Sequence, residues 1–109
     1  MTSTMAWFLL FMAGIMEISW TIGLKFSQGF TRPLPSILTV AALAASMLLL
    51  GQSIKVLPLG TAYAIWVGIG ALGAAVAGIV LFQEAVTPTR IFFLLMLLIS
   101  IMGLKWSAA

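Results

Sequence analysis

Four long apolar segments, separated by three short polar breaks, constrain what this chain can fold into. The breaks fall at residues 27–32, 52–60 and 83–89, where turn residues and charges cluster. At about 1.5 Å per residue, a helix over each segment would cross most of a hydrocarbon layer of about 30 Å. A β-barrel is excluded, because its strands alternate apolar and polar residues. We predict an all-α integral membrane protein, one domain over residues 1–109, with helices at about 5–26, 33–50, 61–82 and 88–104.

The chain has too few charged residues to keep a water-exposed surface. Of its 109 residues, 63% are hydrophobic and 6% are charged, whereas soluble domains have about 25% charged residues. The basic residues lie at segment ends, so nothing indicates a nucleic-acid-binding surface. Cysteine and histidine do not occur in the sequence, which excludes disulfides and thiolate or imidazole metal ligands. We expect no nucleic-acid partner, no metal and no cofactor.

The two ends of the predicted bundle carry nearly the same positive charge. Because the breaks are short, we expect consecutive helices to be antiparallel neighbours. One end then holds Lys25, Arg32 and Arg90, and the other holds Lys55, Lys105 and the amino terminus. Membrane orientation normally follows an excess of Lys and Arg on the cytoplasmic side. With so small a bias, we predict insertion in both orientations, which would let two copies meet head to tail.

Glu17 is the most informative residue, because it lies near the middle of the first apolar segment. A charge at the centre of a membrane helix costs about 2.5–3.5 kcal/mol, and such residues usually face a bundle interior and take part in transport. A purely structural carboxyl would need a partner, and Lys25, the best one on this helix, is more than two turns away. Since the membrane interior disfavours the charged form, we predict that a proton and a cation compete for Glu17. Such competition couples proton entry to cation exit, which is antiport.

Aromatic and hydroxyl side chains are candidates for the surroundings of this carboxyl group. Trp20 follows Glu17 by three residues on the same helical face, too deep in the membrane for an interfacial belt. Tyr63 and Trp66 are also three residues apart, and their rings could attract a cation. Ser46 is a deep hydroxyl that could contact Glu17 or its own backbone. The alternatives are a packing role facing lipid for Trp20 and plain packing between helices for Tyr63 and Trp66.

Small residues are concentrated in the third helix, where Gly68 and Gly70 begin a run of glycine and alanine. Such a run permits close helix contact and local bending, so we predict a conformational hinge at these two glycines. Static bundles use small residues in the same way. The fourth helix is mostly large and apolar, and we expect it to face lipid or to hold a dimer together.

Three stretches of this sequence resemble the small multidrug resistance family. They are A-G-I-M-E-I-S-W around Glu17, L-K-F-S-Q-G-F-T-R-P before the second helix, and G-T-A-Y-A-I-W-V-G-I-G in the third. The similarity covers nearly the whole chain. A membrane glutamate followed three residues later by Trp20 resembles the guanidinium-exporter branch, since quaternary-ammonium exporters of the family typically have a small residue there.

The resemblance implies an antiparallel, dual-topology homodimer in a bacterial inner membrane that exchanges protons for guanidinium through paired glutamates. Glu17 would bind the proton and the cation in turn. The aromatic and hydrogen-bonding shell would be Trp20, Ser46, Tyr63 and Trp66, and the hinge Gly68 and Gly70. The chain departs from the family in the fourth helix, where the glycine-rich dimer seam is reduced to Gly103.

Two other functions stay open. A broader exporter of quaternary-ammonium and other lipophilic cations would use the same carboxylate in a wider aromatic cavity, because these cations have no N–H donors. A membrane subunit that transports nothing and works beside another protein would not require Glu17. An enzyme has almost no support, because the chain has no histidine, cysteine or nucleotide-binding loop.

Overall fold

Four α-helices make up most of the chain in the computed structural model, which describes residues 2–107. They are α1 (Ser3–Phe26), α2 (Pro33–Ser53), α3 (Leu59–Phe82) and α4 (Pro88–Ser107). All four are long and apolar enough to cross a membrane, since even the 20 residues of α4 extend over about 30 Å. Residues 2–107 contain no strand. The predicted all-α architecture with four helices able to span a membrane is therefore confirmed.

Side-chain caps determine where two of the helices begin. The hydroxyl of Thr2 accepts a hydrogen bond from the Met5 amide at 3.2 Å, so α1 begins at Ser3, earlier than predicted. At the start of α4, the hydroxyl of Thr87 accepts one from the Arg90 amide at 3.1 Å. The other bounds differ by a few residues from the predicted ones: α3 begins earlier, and α2 and α4 end later.

The helices form a thin layer rather than a closed bundle. The molecule measures 41 × 36 × 17 Å, and 17 Å is less than two helix diameters of about 10–12 Å each. Across the layer the order is α2, α1, α3, α4, because α1 packs on both α2 and α3 while the backbone of α4, as far as residues 2–107 show, lies beside α3 alone. The expectation that consecutive helices are neighbours holds for α1 with α2 and for α3 with α4, but α2 and α3 meet only briefly.

The buried core occupies one half of this layer. Its residues come from the end where α1 and α3 begin and α2 and α4 end: Ala6, Leu10, Ala13, Leu50, Leu57, Ala62, Ile65, Trp66 and Ile101. At the opposite end, two open clefts lie beside Thr21, Lys25 and Phe82. Glu17 therefore lies on α1 between a closely packed half and an open half of the protein.

Large apolar side chains cover the outside of the layer. Four of these side chains are each about two-thirds exposed: Leu34 and Leu48 on α2, Val80 on α3 and Ile99 on α4. A soluble monomer rarely exposes apolar surface on this scale. Lipid tails would cover these side chains without the free-energy cost that water imposes.

Candidate functional site

Close packing of α1 on α3 brings the carboxyl group of Glu17 against the backbone of Gly70. The two helices run parallel here, since Gly14 faces Ile69 and Glu17 faces the next residue along α3. A Cβ atom at Gly70 would lie 2.5 Å from Cδ of Glu17 and 2.8 Å from its Cγ. Contacts that short are not tolerated, so any other residue at this position would displace the carboxyl group.

Glu17 and the neighbouring Trp20 each have a buried polar atom without a hydrogen-bond partner within residues 2–107. These atoms are Oε2 of Glu17 and Nε1 of Trp20. Buried polar atoms in proteins are nearly always hydrogen-bonded, and leaving one unpaired costs about 1–3 kcal/mol. The ionised carboxylate accepts hydrogen bonds and the indole N–H donates one. This turn of α1 is therefore chemically unsatisfied in a single copy of the chain.

Ser46 and Trp66 are joined to α1 by a buried chain of hydrogen bonds. Nε1 of Trp66 donates to the hydroxyl of Ser46 at 2.9 Å, and that hydroxyl donates to the backbone carbonyl of Ala13 at 2.7 Å. Ser46 is fully buried and Trp66 nearly so. The sequence suggested that Ser46 contacts Glu17 or its own backbone, but the partner is a carbonyl one turn before Glu17. These bonds hold α1, α2 and α3 together one turn before Glu17.

Tyr63 is the exposed member of an aromatic pair on α3. Its ring centroid lies 5.5 Å from that of Trp66, with the two ring planes tilted by 53°. Tyr63 is 53% exposed, so one ring of the pair is packed in the protein and the other faces outward. Proximity of the two rings, which the three-residue spacing predicted, is present. Their contact with a cation stays a prediction.

Gly68 and Gly70 allow close approach on opposite sides of α3. A Cβ atom at Gly68 would lie 2.8 Å from Cγ1 of Ile101 on α4, whereas Gly70 faces Glu17 on α1. The helix continues without interruption from Leu59 to Phe82. The structure therefore assigns these glycines a packing role, and their role as a hinge stays a prediction.

Two features of the neighbourhood were not foreseen. Ile69 fits against Gly14, and Ile18 fits against Gly73; the density of glycine in α3 signalled close contact but not which side chains fill it. Glu84 is exposed and forms a salt bridge with Arg90 at 2.8 Å.

Comparison with known proteins decides the family. A sequence profile described as Small Multidrug Resistance protein matches residues 5–98. The chain belongs to the small multidrug resistance family. The matched stretch includes Glu17 and all the proposed shell and hinge residues, and it ends within α4.

Individual members of the small multidrug resistance family are similar over almost their whole length. A protein named guanidinium exporter from Salmonella typhimurium strain LT2 is 50% identical over 104 residues, 95% of this chain and 99% of the relative. The guanidinium exporter of Escherichia coli K12 is 50% identical over 103 residues, 94% of this chain and 98% of the relative. That of Citrobacter freundii is 48% identical over 103 residues. The predicted likeness to the guanidinium-exporter branch is confirmed.

Membership of the small multidrug resistance family agrees with the architecture. Four helices of membrane-spanning length and composition, together with relatives that are named exporters, identify a multi-pass membrane transport protein. The transport function directs attention to the one carboxyl group that lies in the middle of a helix, Glu17.

Proposed function

We propose that this protein exports guanidinium across the bacterial inner membrane in exchange for protons. The observation that carries the proposal is the carboxyl group of Glu17, held against Gly70 with Oε2 buried and no hydrogen-bond partner within residues 2–107. A carboxylate at this depth in a membrane is costly unless a proton or a cation neutralises it. The relatives named guanidinium exporter, at 48–50% identity, support guanidinium as the cation.

The chemistry of guanidinium matches the groups around Glu17. Its N–H donors form a planar fork that pairs with both oxygens of a carboxylate. Its faces are weakly hydrated and stack on aromatic rings, which Trp20, Tyr63 and Trp66 would supply. Ser46 would complete the shell through the hydrogen bond that it accepts from Trp66. A planar cation needs only a narrow site, and the bulky indole of Trp20 beside Glu17 favours a narrow one.

Exchange follows if the proton and guanidinium cannot occupy Glu17 together. An empty, ionised site would have to carry an uncompensated charge through the apolar interior, so only the loaded forms change the side to which they open. Each guanidinium that leaves is then replaced by protons from the other side. Gly68 and Gly70 are the proposed positions at which α3 bends during this change.

We further propose that two copies in opposite orientations form the transporter. A layer 17 Å thick is too thin to surround an aqueous path, and a second copy would cover the outward face of Tyr63. Basic residues are nearly balanced between the two ends.

Because the chain has no cysteine, Ala85→Cys would provide one labelling site in the exposed turn between α3 and α4. We expect reagents confined to either side of the membrane to label comparable fractions, whereas labelling from one side only would exclude dual topology.

The test of the proposed exchange uses the two acidic side chains of the sequence as a matched pair. Glu17→Gln and Glu84→Gln each remove one negative charge, one inside the membrane helix and one in an exposed salt bridge. In proteoliposomes with a guanidinium gradient, we expect Glu17→Gln to abolish guanidinium-driven proton movement and Glu84→Gln to retain it. Proton movement that survives Glu17→Gln would contradict the mechanism.

A broader quaternary-ammonium exporter is the second candidate, and the same vesicles distinguish it. Tetramethylammonium has no N–H donors and is not planar, so it would use the aromatic rings without the carboxylate fork. We expect proton movement with guanidinium and none with tetramethylammonium. The reverse pattern would favour the broader exporter, and no coupled flux with any cation would favour a subunit that transports nothing.

A further inference from the structure

A second polar region lies at the open end of the protein, away from Glu17. An open cleft of about 860 Å³ is bordered by the end of α1, the turn that follows it, and the end of α3. Two basic residues, Lys25 and Arg32, line it, with Thr21 and Gln28 as further polar groups. No acidic side chain is among its lining residues. Its electrostatic character is therefore opposite to that of the carboxylate site.

The two basic side chains are not neutralised by the part of the chain that the structure describes. The single salt bridge within residues 2–107 joins Arg90 to Glu84. Glu84 lines a smaller neighbouring cleft together with Lys25, but its carboxylate is held by Arg90. Nζ of Lys25 instead stands 5.6 Å from the ring centroid of Phe82. Two positive charges therefore face one cleft, and a cationic cargo would be repelled from it.

The turn between α1 and α2 brings the backbones of these two basic residues close together. Ser27 is fully buried, and its hydroxyl donates to the carbonyl of Leu24 and accepts from the amide of Phe30. The amide of Arg32 donates to the carbonyl of Ser27 at 3.1 Å. Because Ser27 is hydrogen-bonded both to Leu24 in α1 and to Arg32 at the end of the turn, the backbone of Arg32 is held close to the last turn of α1, where Lys25 lies.

Apolar side chains form the remaining wall of the cleft. Phe26 and Phe82 line it, with ring centroids 5.2 Å apart, and Leu24 lies beside them. Because α1 and α3 both end here, this cleft lies at the boundary between hydrocarbon and water in a membrane protein of this length. A ligand that fits must carry negative charge on its polar part and be apolar next to it, and it must be available at the membrane surface.

We propose that this cleft binds the headgroup of an anionic phospholipid. The phosphate lies between Lys25 and Arg32, where charge-assisted hydrogen bonds are strongest, and the acyl chains run along Phe26 and Phe82 toward the membrane interior. The proposal concerns a site separate from Glu17 and does not depend on which cation is transported. Free inorganic phosphate carries the same anionic group as the lipid headgroup, so the test has to distinguish the lipid from the free ion.

Native mass spectrometry of the purified protein with defined lipids tests this proposal. Phosphatidylglycerol is compared with phosphatidylcholine, using Lys25→Gln/Arg32→Gln and, as the matched control, Lys55→Gln/Lys105→Gln, which removes two positive charges from the opposite end. We expect the first pair to lower phosphatidylglycerol affinity about 30-fold, the factor that corresponds to about 1 kcal/mol for each of two basic residues near an anionic surface. The control pair should change it by less than about threefold, because its residues do not line the cleft.

Two further measurements keep the result interpretable. The charge-preserving variant Lys25→Arg/Arg32→Lys should retain phosphatidylglycerol binding, which separates loss of charge from loss of folding. Excess inorganic phosphate should leave bound phosphatidylglycerol in place, because the free ion lacks the apolar contacts. Equal loss in the two Gln pairs, no preference over phosphatidylcholine, loss in the charge-preserving variant, or displacement by phosphate would each overturn the proposal.

Discussion

The carboxyl group of Glu17 occupies the space that a methyl group on Gly70 would need. A second carboxyl group has the same relationship to a glycine of α3, since a Cβ atom at Gly78 would lie 2.6 Å from Cδ of Glu84. The two carboxyl groups differ in how freely they can move away from the glycine. Glu84 is exposed and can move into solvent, whereas Oε2 of Glu17 is buried. The same substitution at the two glycines should therefore have different consequences.

Gly70→Ala is expected to lower guanidinium-driven proton movement at least about tenfold, because overpacking of this size costs about 1–3 kcal/mol and the carboxyl group must leave its position. Gly78→Ala should change the flux by no more than about twofold, as for substitutions whose neighbours can relax. Initial rates in proteoliposomes at matched protein density provide the measurement. Equal losses of proton movement in the two variants would show that the effect of Gly70→Ala does not come from displacement of the Glu17 carboxyl group.

The hydrogen bond from Trp66 to Ser46 is expected to couple these residues energetically. Trp66→Phe removes the donor and Ser46→Ala removes the acceptor, so the double variant should be more stable than the sum of the single effects predicts. Such bonds between membrane helices contribute about 0.6 kcal/mol on average and up to about 1.7 kcal/mol. Unfolding in mixed detergent micelles gives the four free energies of this cycle. A coupling energy indistinguishable from zero would contradict the role assigned to the bond.

The contact between α1 and α2 offers a substitution that a second one should rescue. A Cβ atom at Gly23 would lie 2.5 Å from the hydroxyl oxygen of Thr39 but 3.5 Å from its Cβ. We expect Gly23→Ala to destabilise the fold by about 1–3 kcal/mol. Thr39→Ala removes the clashing oxygen, which otherwise donates to the carbonyl of Pro35 at 2.7 Å. The double variant should recover at least half of the lost free energy of unfolding. No recovery would show that the Thr39 hydroxyl is not the group with which the new methyl group clashes.

Replacement of Trp20 is expected to change which cation is transported. Trp20→Gly removes the indole beside Glu17 and opens space for a cation that is not planar, while the carboxylate remains. We expect the ratio of guanidinium flux to tetramethylammonium flux to fall at least about tenfold, a change of about 1.4 kcal/mol in selectivity. Trp7→Gly, at the start of the same helix, serves as the control and should leave the ratio unchanged. An unchanged ratio in Trp20→Gly would remove Trp20 from the selectivity determinants.

The four helices could be predicted because each depends on local composition. Continuous apolar runs and the breaks between them are properties of the sequence itself, and Glu17 is conspicuous because the other charge in its segment, Lys25, lies at the segment's end. The start of α1 was predicted two residues late because it depends on a single hydroxyl, that of Thr2. The general membrane architecture thus follows from composition, whereas the helix ends depend on individual caps.

The details of the site could not be predicted because they depend on which residues meet across helices. Helical spacing placed Tyr63 beside Trp66, and the structure has them in contact. Spacing within one helix does not determine the register between two, so neither the Ala13 carbonyl as partner of Ser46 nor Gly70 as neighbour of Glu17 could be derived. The sequence showed which side chains were available, and the register of α1 on α3 decided which of them meet.

The position of α4 at the edge of the layer has a consequence for how the chain is made. Among the described core residues, Ile101 is the one that α4 contributes, and it fits against Gly68 of α3. The bonds that join Trp66, Ser46 and Ala13 involve only the first three helices. Since nascent proteins fold from the amino terminus as they are synthesised, these three helices can associate while residues 88–107 are still in the ribosome. Packing of Ile101 against Gly68 then completes a core that the first three helices have already begun.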